Sequence, residues 1–159
     1  MSTTLEKSLR GDRLDRLRLR PAFAVAPSAP VEQAIRGMTD QKIGCALVHD
    51  AGGKLIGIFT ERDFLGRVVA AGLTSTTPIE KVMSPAPRTI TANASVHDAV
   101  DAMAKGGYRH LPVVDGSGKA VGVLSVKDVV HYLVEYFPAK VYNLPPTPDQ
   151  QTQPAREGA

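Results

Sequence analysis

Gly57-Ile58-Phe59-Thr60-Glu61-Arg62-Asp63 returns 65 residues on as Gly122-Val123-Leu124-Ser125-Val126-Lys127-Asp128. In each copy an apolar, β-branched run reaches a hydroxyl residue, an Asp follows three positions later, and an apolar helical pattern begins. The reading is strand, cap, helix. Thr60 or Ser125 accepts from the free backbone N–H groups of the helix start, and the carboxylate lies in the first turn, where the helix dipole favours negative charge. The spacing is also that of a capping box with Asp in place of Glu. Two such ends place two fixed carboxylates beside helix N-termini, an arrangement suited to a ligand that offers hydroxyls to the acid and phosphates close by.

Outward from these ends the register holds without a gap. The stripe Val31, Ala34, Ile35, Met38, spaced i, i+3, i+4, i+7, predicts a helix and is matched by Val96, Ala99, Val100, Met103. Asp50-Ala51-Gly52-Gly53 reads as a hairpin turn and is matched by Asp115 to Gly118, with Lys54 and Lys119 following. Phe64, Leu65, Val68 and Val69 predict a second apolar helical stripe, matched by Val129, Val130, Leu133 and Val134. A register kept over roughly fifty positions is an internal duplication. Each copy is strand, helix, strand, hairpin, strand, helix, with strands near 22–26, 44–49 and 54–59 in the first and an extended start at 88–91 in the second. The fold class is α+β. Neither unit covers both faces of its own small sheet, so the two pack sheet to sheet with pseudo-twofold symmetry and leave two equivalent clefts.

Composition narrows the function. A chain of 159 residues with 43% apolar and 5% aromatic side chains and no Trp builds one ordinary domain, or two half-domains, around an aliphatic core. No apolar run approaches the roughly 18 residues of a membrane span, so a cytoplasmic protein is expected. Cys45 is the single cysteine and the four His are scattered, which argues against a disulfide or a structural metal. Cys45 reads as a small apolar filler. No nucleophile with a paired base is visible, so the chain does not read as an enzyme. The net charge of +3 is carried by the first twenty residues, whose bases lack interleaved aromatics, which argues against nucleic acid. Residues 1–11 are expected to be mobile or a loosely attached helix, and residues 12–19 to form a short helix with Leu14 and Leu17 on one side. Residues 74–78, rich in Thr and Ser, are the linker, and 79–83 a helical turn. Tyr132, Tyr136, Phe137 and Tyr142, then Pro145, Pro146 and Pro148, predict a helix ending near Phe137 and an extended, proline-stiffened arm, followed by a disordered tail. Such an arm needs an apolar surface on this subunit or a second one.

The paired ends, together with Arg109-His110-Leu111-Pro112-Val113-Val114-Asp115, resemble a CBS domain pair, or Bateman module, over residues 12–137. The resemblance implies a βαββα motif in 12–73 and another in 79–137. It also implies binding of an adenine nucleotide or adenosyl compound (AMP, ADP, ATP, NAD or S-adenosylmethionine), a flat homodimer, and regulation of a protein partner rather than catalysis. Carried onto this chain, the first cleft joins Thr60 and Asp63 to Arg88, Thr89, Tyr108, Arg109, His110 and Pro112. Asp63 would accept from two ribose hydroxyls and Thr60 would hold sugar or phosphate. Arg109, His110 and the nearby Arg62 would meet phosphates, and the backbone from Tyr108 to Pro112 would enclose the adenine. The second cleft joins Ser125 and Asp128 to Ala22, Phe23, Ile43, Gly44 and Cys45, with only Lys42 or Lys127 as cations. Gly44-Cys45 stands where Arg109-His110 stands in the other repeat, so unequal sites are expected. The alternative is a structural homodimerisation module without a ligand, its aspartates serving only as caps.

Overall fold

Period-two and period-3.6 patterns become strands and helices in the same order twice. The computed structural model describes residues 4–142. Helix α1 (Thr4–Gly11) leads to a single 3-10 turn, Leu14–Arg16. The first repeat is β1 (Ala24–Val25), α2 (Val31–Gln41), β2 (Cys45–His49), β3 (Leu55–Thr60) and α3 (Glu61–Asp63), which runs on as a π-helical segment over Phe64–Val69. A 3-10 turn, Ile79–Lys81, and β4 (Ser84–Pro85) lead into the second repeat. It comprises β5 (Ile90–Thr91), α4 (Val96–Gly106), β6 (His110–Val114), β7 (Ala120–Ser125) and α5 (Val126–Tyr136), and a short α6 (Pro138–Tyr142) follows. Among the described residues no helix is long and apolar enough to cross a membrane.

The sheets run β1-β2-β3-β4 and β5-β6-β7. In each, the short first strand is parallel to the second (Val25↔Val48, Ile90↔Val113) and the second and third form a hairpin (Leu47↔Ile58, Pro112↔Val123). The turns are built alike. Asp50 Oδ1 accepts from the N–H groups of Gly52 and Lys54, both at 2.9 Å. Asp115 Oδ1 accepts from those of Ser117 (2.8 Å) and Lys119 (3.1 Å). Gly53 and Gly118 take φ of +80° and +82°, the left-handed region that a side chain disfavours.

The repeats exchange their lead segments. Ile79 and Val82, which open the second repeat, are buried in the first core with Val31, Ala46 and Phe59. Leu14, which precedes the first repeat, is fully buried in the second core with Val96, Ala99, Leu111 and Leu124. The backbone bonds match: Ile79 N–H to Ala29 O (2.9 Å) and Leu14 N–H to Ala94 O (3.0 Å), Val31 N–H to Thr77 O and Val96 N–H to Asp12 O, both 2.9 Å. These pairings take up the backbone of residues 12–15, which is why a 3-10 turn stands where a longer helix is expected. The leads then run along the outer edges of β3 and β7, where the motif glycines admit them. A Cβ on Gly57 would stand 2.2 Å from Met83 Sδ, and one on Gly122 3.0 Å from Arg20 O.

Two expectations need correction, and for residues 4–11 the helical one of two alternatives holds. Val68 and Val129 are buried, but Leu65, Val69 and Val130 are 62%, 56% and 48% exposed, because a residue one step on lies about 100° round the helix and leaves the narrow core-facing stripe. Residues 4–11 are helical, and α1 packs on α4 with Leu9 against the second core. The chain after Phe137 continues as α6 rather than as an extended arm, while Pro145, Pro146, Pro148 and the tail lie outside the described residues.

Candidate ligand clefts

Where β3 hands over to α3, a cleft of about 390 Å³ opens between the repeats. Thr60, Arg62, Asp63 and Arg67 form one wall, Ser84 to Arg88 the floor, and Tyr108, Arg109 and His110 the other wall. Asp63 is 9% exposed. Its Oδ2 accepts from Thr60 N–H (2.9 Å) and Thr60 Oγ1–H (2.7 Å), while its own N–H donates to Thr60 Oγ1 (3.3 Å), so the capping box is complete. Oδ1 accepts from Ser84 Oγ (3.2 Å) and faces Arg67 Nε at 3.5 Å. Arg67 is itself anchored, donating to the carbonyls of Val82 (3.2 Å) and Met83 (2.6 Å). A nearly buried carboxylate is thus compensated on both oxygens, as its desolvation requires. Oδ1 has the longer contacts and is the oxygen that can exchange partners. Arg62, Arg88 and Arg109 face the same space and form no ion pair among the described residues. Guanidinium groups in that number suit phosphate oxygens.

Two residues assigned to this cleft lie elsewhere. Pro112 is fully buried in β6 opposite Val123, deeper along the strand than His110. Thr89 lines a separate cavity beside the two hairpin turns, with Lys54 and Lys119. Sequence reasoning missed Arg67 and Ser84. Arg67 stands i+4 from Asp63, a spacing at which oppositely charged side chains meet on a helix, so its signal was present.

The second cleft, about 230 Å³, is lined by Phe23, Ile43, Gly44, Cys45, Ser125 and Lys127 as expected from the repeat. Ala22 instead packs on the small cluster of Cys45, Leu47, Ile58 and Val123. Asp128 lines an adjoining cavity of about 750 Å³ instead, with Arg20, Pro21, His131 and Tyr132. Its Oδ2 takes the capping bonds from Ser125 N–H (2.8 Å) and Oγ–H (2.6 Å), and its Oδ1 meets Arg20 Nε at 3.3 Å. Arg20 also donates through Nη1 to Lys42 O (3.3 Å) and lines the second cleft in the carboxylate's place. Lack of cations does not distinguish this cleft, since Arg20, Lys42, Arg109 and Lys127 all line it. Burial, and then the charge of Glu61, push the Cys45 thiol up to about 12, so it is inert as a nucleophile. Among the described residues no group of three or more His, Cys, Asp or Glu is placed to hold a metal ion.

His110 and Gly44 meet between the clefts, and a Cβ on Gly44 would stand 3.0 Å from the imidazole. Burial lowers the His110 pKa, outweighing the raising effect of Glu61 and Asp128, while Arg109 and Arg20 lower it further. With its folded value below the ordinary 6.5, His110 stays neutral while the unfolded chain takes up a proton, so stability falls as pH drops through that window. His110→Gln is expected to lose less stability than the wild type when urea midpoints are compared at about pH 7.5 and about pH 5.5. Equal losses would show that His110 does not carry the effect.

The tandem hairpins, exchanged leads and paired capping-box clefts define a two-motif α+β fold. The family model described as CBS domain matches residues 16–70 and 79–135, and the chain belongs to the CBS domain family. An uncharacterized 17.7 kDa protein of Acidianus ambivalens is 31% identical over 113 residues, which cover 71% of this chain and 68% of that protein. The Arabidopsis thaliana CBS domain-containing protein CBSCBSPB3 is 37% identical over 108 residues, 67% of this chain but 19% of that protein. This chain therefore spans about a fifth of that plant relative. Among solved structures, a CBS domain protein of Pyrobaculum aerophilum complexed with AMP superposes with a TM-score of 0.69 at 28% identity, covering 74% of this chain and 89% of that one. An uncharacterized conserved protein of Pyrococcus horikoshii gives 0.73 at 25% identity, covering 77% and 92%.

Proposed function

We propose that this protein is a ligand-sensing module that takes an adenine nucleotide or adenosyl compound in its first cleft and reports it to a partner or through a homodimer, without catalysis. The observation that carries this reading is Asp63, a fixed carboxylate on a cleft wall that also bears Arg62, Arg88 and Arg109. A vicinal diol can replace Ser84 and Arg67 at Oδ1, and the guanidinium groups can then receive phosphates. The volume of about 390 Å³ falls within the roughly 300–1,000 Å³ of small-molecule sites. The relative from Pyrobaculum aerophilum, complexed with AMP, supports the ligand class.

Calorimetric titration of the purified protein with AMP, ADP, ATP, NAD and S-adenosylmethionine tests the reading. Saturable heat with at least one is expected, with a matching rise in melting temperature. Absence of heat and thermal shift with all five would remove the sensor reading. It would leave the second one, a dimerisation module, which the completed caps at Asp63 and Asp128 and the exposed Leu65, Val69, Val130 and Tyr136 favour.

A further inference from the structure

The two clefts are related by the repeat, yet Asp63 lines the same cavity as the strand that faces it, while Asp128 lines a neighbouring cavity of about 750 Å³ on the far side of Arg20. The difference lies in one side chain on each lead segment. On the edge of β3, Ile58 pairs with Ser84, whose short hydroxyl donates to Asp63 Oδ1 at 3.2 Å and leaves the carboxylate on the cleft wall. On the edge of β7, Val123 pairs with Arg20. Position 20 thus holds the place of Ser84, with a far longer, charged side chain.

We infer that Arg20 is a tethered cation that divides the second cleft, so that the chain takes one nucleotide in its first cleft and none in its second. The inference rests on the function proposed above. Arg20 Nε lies 3.3 Å from Asp128 Oδ1, its Nη1 donates to Lys42 O at 3.3 Å, and the guanidinium bridges from the first turn of α5 to the segment after α2. The Asp128 side chain is 10% exposed, much as the Asp63 side chain is at 11%, so the clefts differ in where the paired arginine stands and not in the burial of the acid. Arg20 lines both the space of about 230 Å³ and the neighbouring one of about 750 Å³ that holds Asp128, and so stands between them. A nucleoside entering here would have to break the Arg20–Asp128 pair and the Arg20 bond to Lys42 O together, whereas in the first cleft the longer 3.5 Å Arg67 contact lies within one helix and does not cross the cleft. The lead backbone is itself fixed, because Val123 N–H donates to Arg20 O at 3.1 Å and Leu14 anchors the segment in the second core. Arg20 therefore returns to Asp128 after every excursion. It acts at high effective concentration, as a linked ligand does.

The test is AMP titration of the full chain by calorimetry, with the wild type, Arg20→Ser, Asp63→Ala and the double variant compared. Arg20→Ser copies the first cleft's arrangement. The expected stoichiometries are one AMP per chain for the wild type, two for Arg20→Ser, none for Asp63→Ala, and one for the double variant. Arg20→Gln, which keeps reach and hydrogen bonding but removes the charge, is expected to gain a second, weaker site and guards against a folding defect in the serine variant. A wild type that binds two AMP overturns the inference. So does a wild type that binds one while neither Arg20 variant gains a site; both outcomes leave the proposed function standing. No AMP bound by any of the four proteins overturns both.

Discussion

Asp63→Ala is expected to weaken AMP binding by at least roughly a hundredfold and to lower the melting temperature by several degrees. On the binding side, a carboxylate that accepts from two ribose hydroxyls makes two charge-assisted hydrogen bonds, each worth about 1.5–3 kcal/mol, and every 1.4 kcal/mol is tenfold in Kd. On the stability side, the substitution removes the acceptor of Thr60 N–H, Thr60 Oγ1–H and Ser84 Oγ–H at once. Loss of the reciprocal half of the capping box costs about 1 kcal/mol, and part-buried donors left without partners add about 1–3 kcal/mol. At about 2–4 °C per kcal/mol for a chain of this size, the fall should be roughly 4–16 °C. Asp63→Asn separates the two effects. It keeps an acceptor for the Thr60 N–H and fills the same space, but it has no charge to set against Arg67 and one oxygen in place of two. Its melting temperature should recover about half of the fall seen with Ala, while AMP binding stays weak. If Asp63→Asn bound AMP within twofold of the wild type, the carboxylate would be a helix cap and nothing more.

How far the sequence carried this result depends on whether a signal was local. The hairpin turns at Asp50 and Asp115 were legible because a side-chain acceptor and a left-handed glycine lie within four residues of each other. The capping boxes at Thr60 and Ser125 were legible for the same reason. The glycines of the two ends were visible as letters, but their purpose was not. They admit a neighbouring lead segment, and which edge a lead reaches is decided by chain crossing, which no periodicity records. Arg20 was hidden by something more specific. The offset of 65 pairs it with Pro85, whereas the observed pairings align Arg20 with Ser84, a local slip of one residue. A slip of one turns a strand's side chains to the other face, so comparison of the repeats by offset pointed away from Asp128. The apolar stripe after Thr60 misled for a different reason. Leu65 and Val69 are as hydrophobic as Phe64 and Val68, and composition does not tell the covered side of a helix from the open one.

The second large effect follows from the exchanged leads. Leu14→Ala is expected to destabilise the protein by about 3–5 kcal/mol, although the residue lies in a polar, basic stretch that reads as peripheral. Leu14 is fully buried among Val96, Ala99, Leu111 and Leu124, and its backbone is pinned to Ala94 O on one side while Asp12 O holds Val96 N–H on the other. A cavity at such a place cannot collapse, because the segment's ends are fixed by those bonds, by Tyr132 Oη–H to Asp12 Oδ2 (2.5 Å) and by the β7 edge. The cost should therefore lie towards the upper part of the range for buried leucines. Leu9→Ala, at a site only partly buried, should cost about 1.5 kcal/mol or less and serves as the control. Urea denaturation reads the magnitude, and amide exchange reads the location. Protection should fall first in α4, β6 and β7, more than a hundred residues along the chain in part, and not in β2 and β3, which follow Leu14 more closely in sequence. The same loosening should free Arg20 from the edge of β7, so Leu14→Ala should gain weak AMP binding in the second cleft at temperatures well below its melting point. Loss of protection confined to β2 and β3, or a destabilisation under about 1 kcal/mol, would show that the lead segment lies on the second core without being part of it.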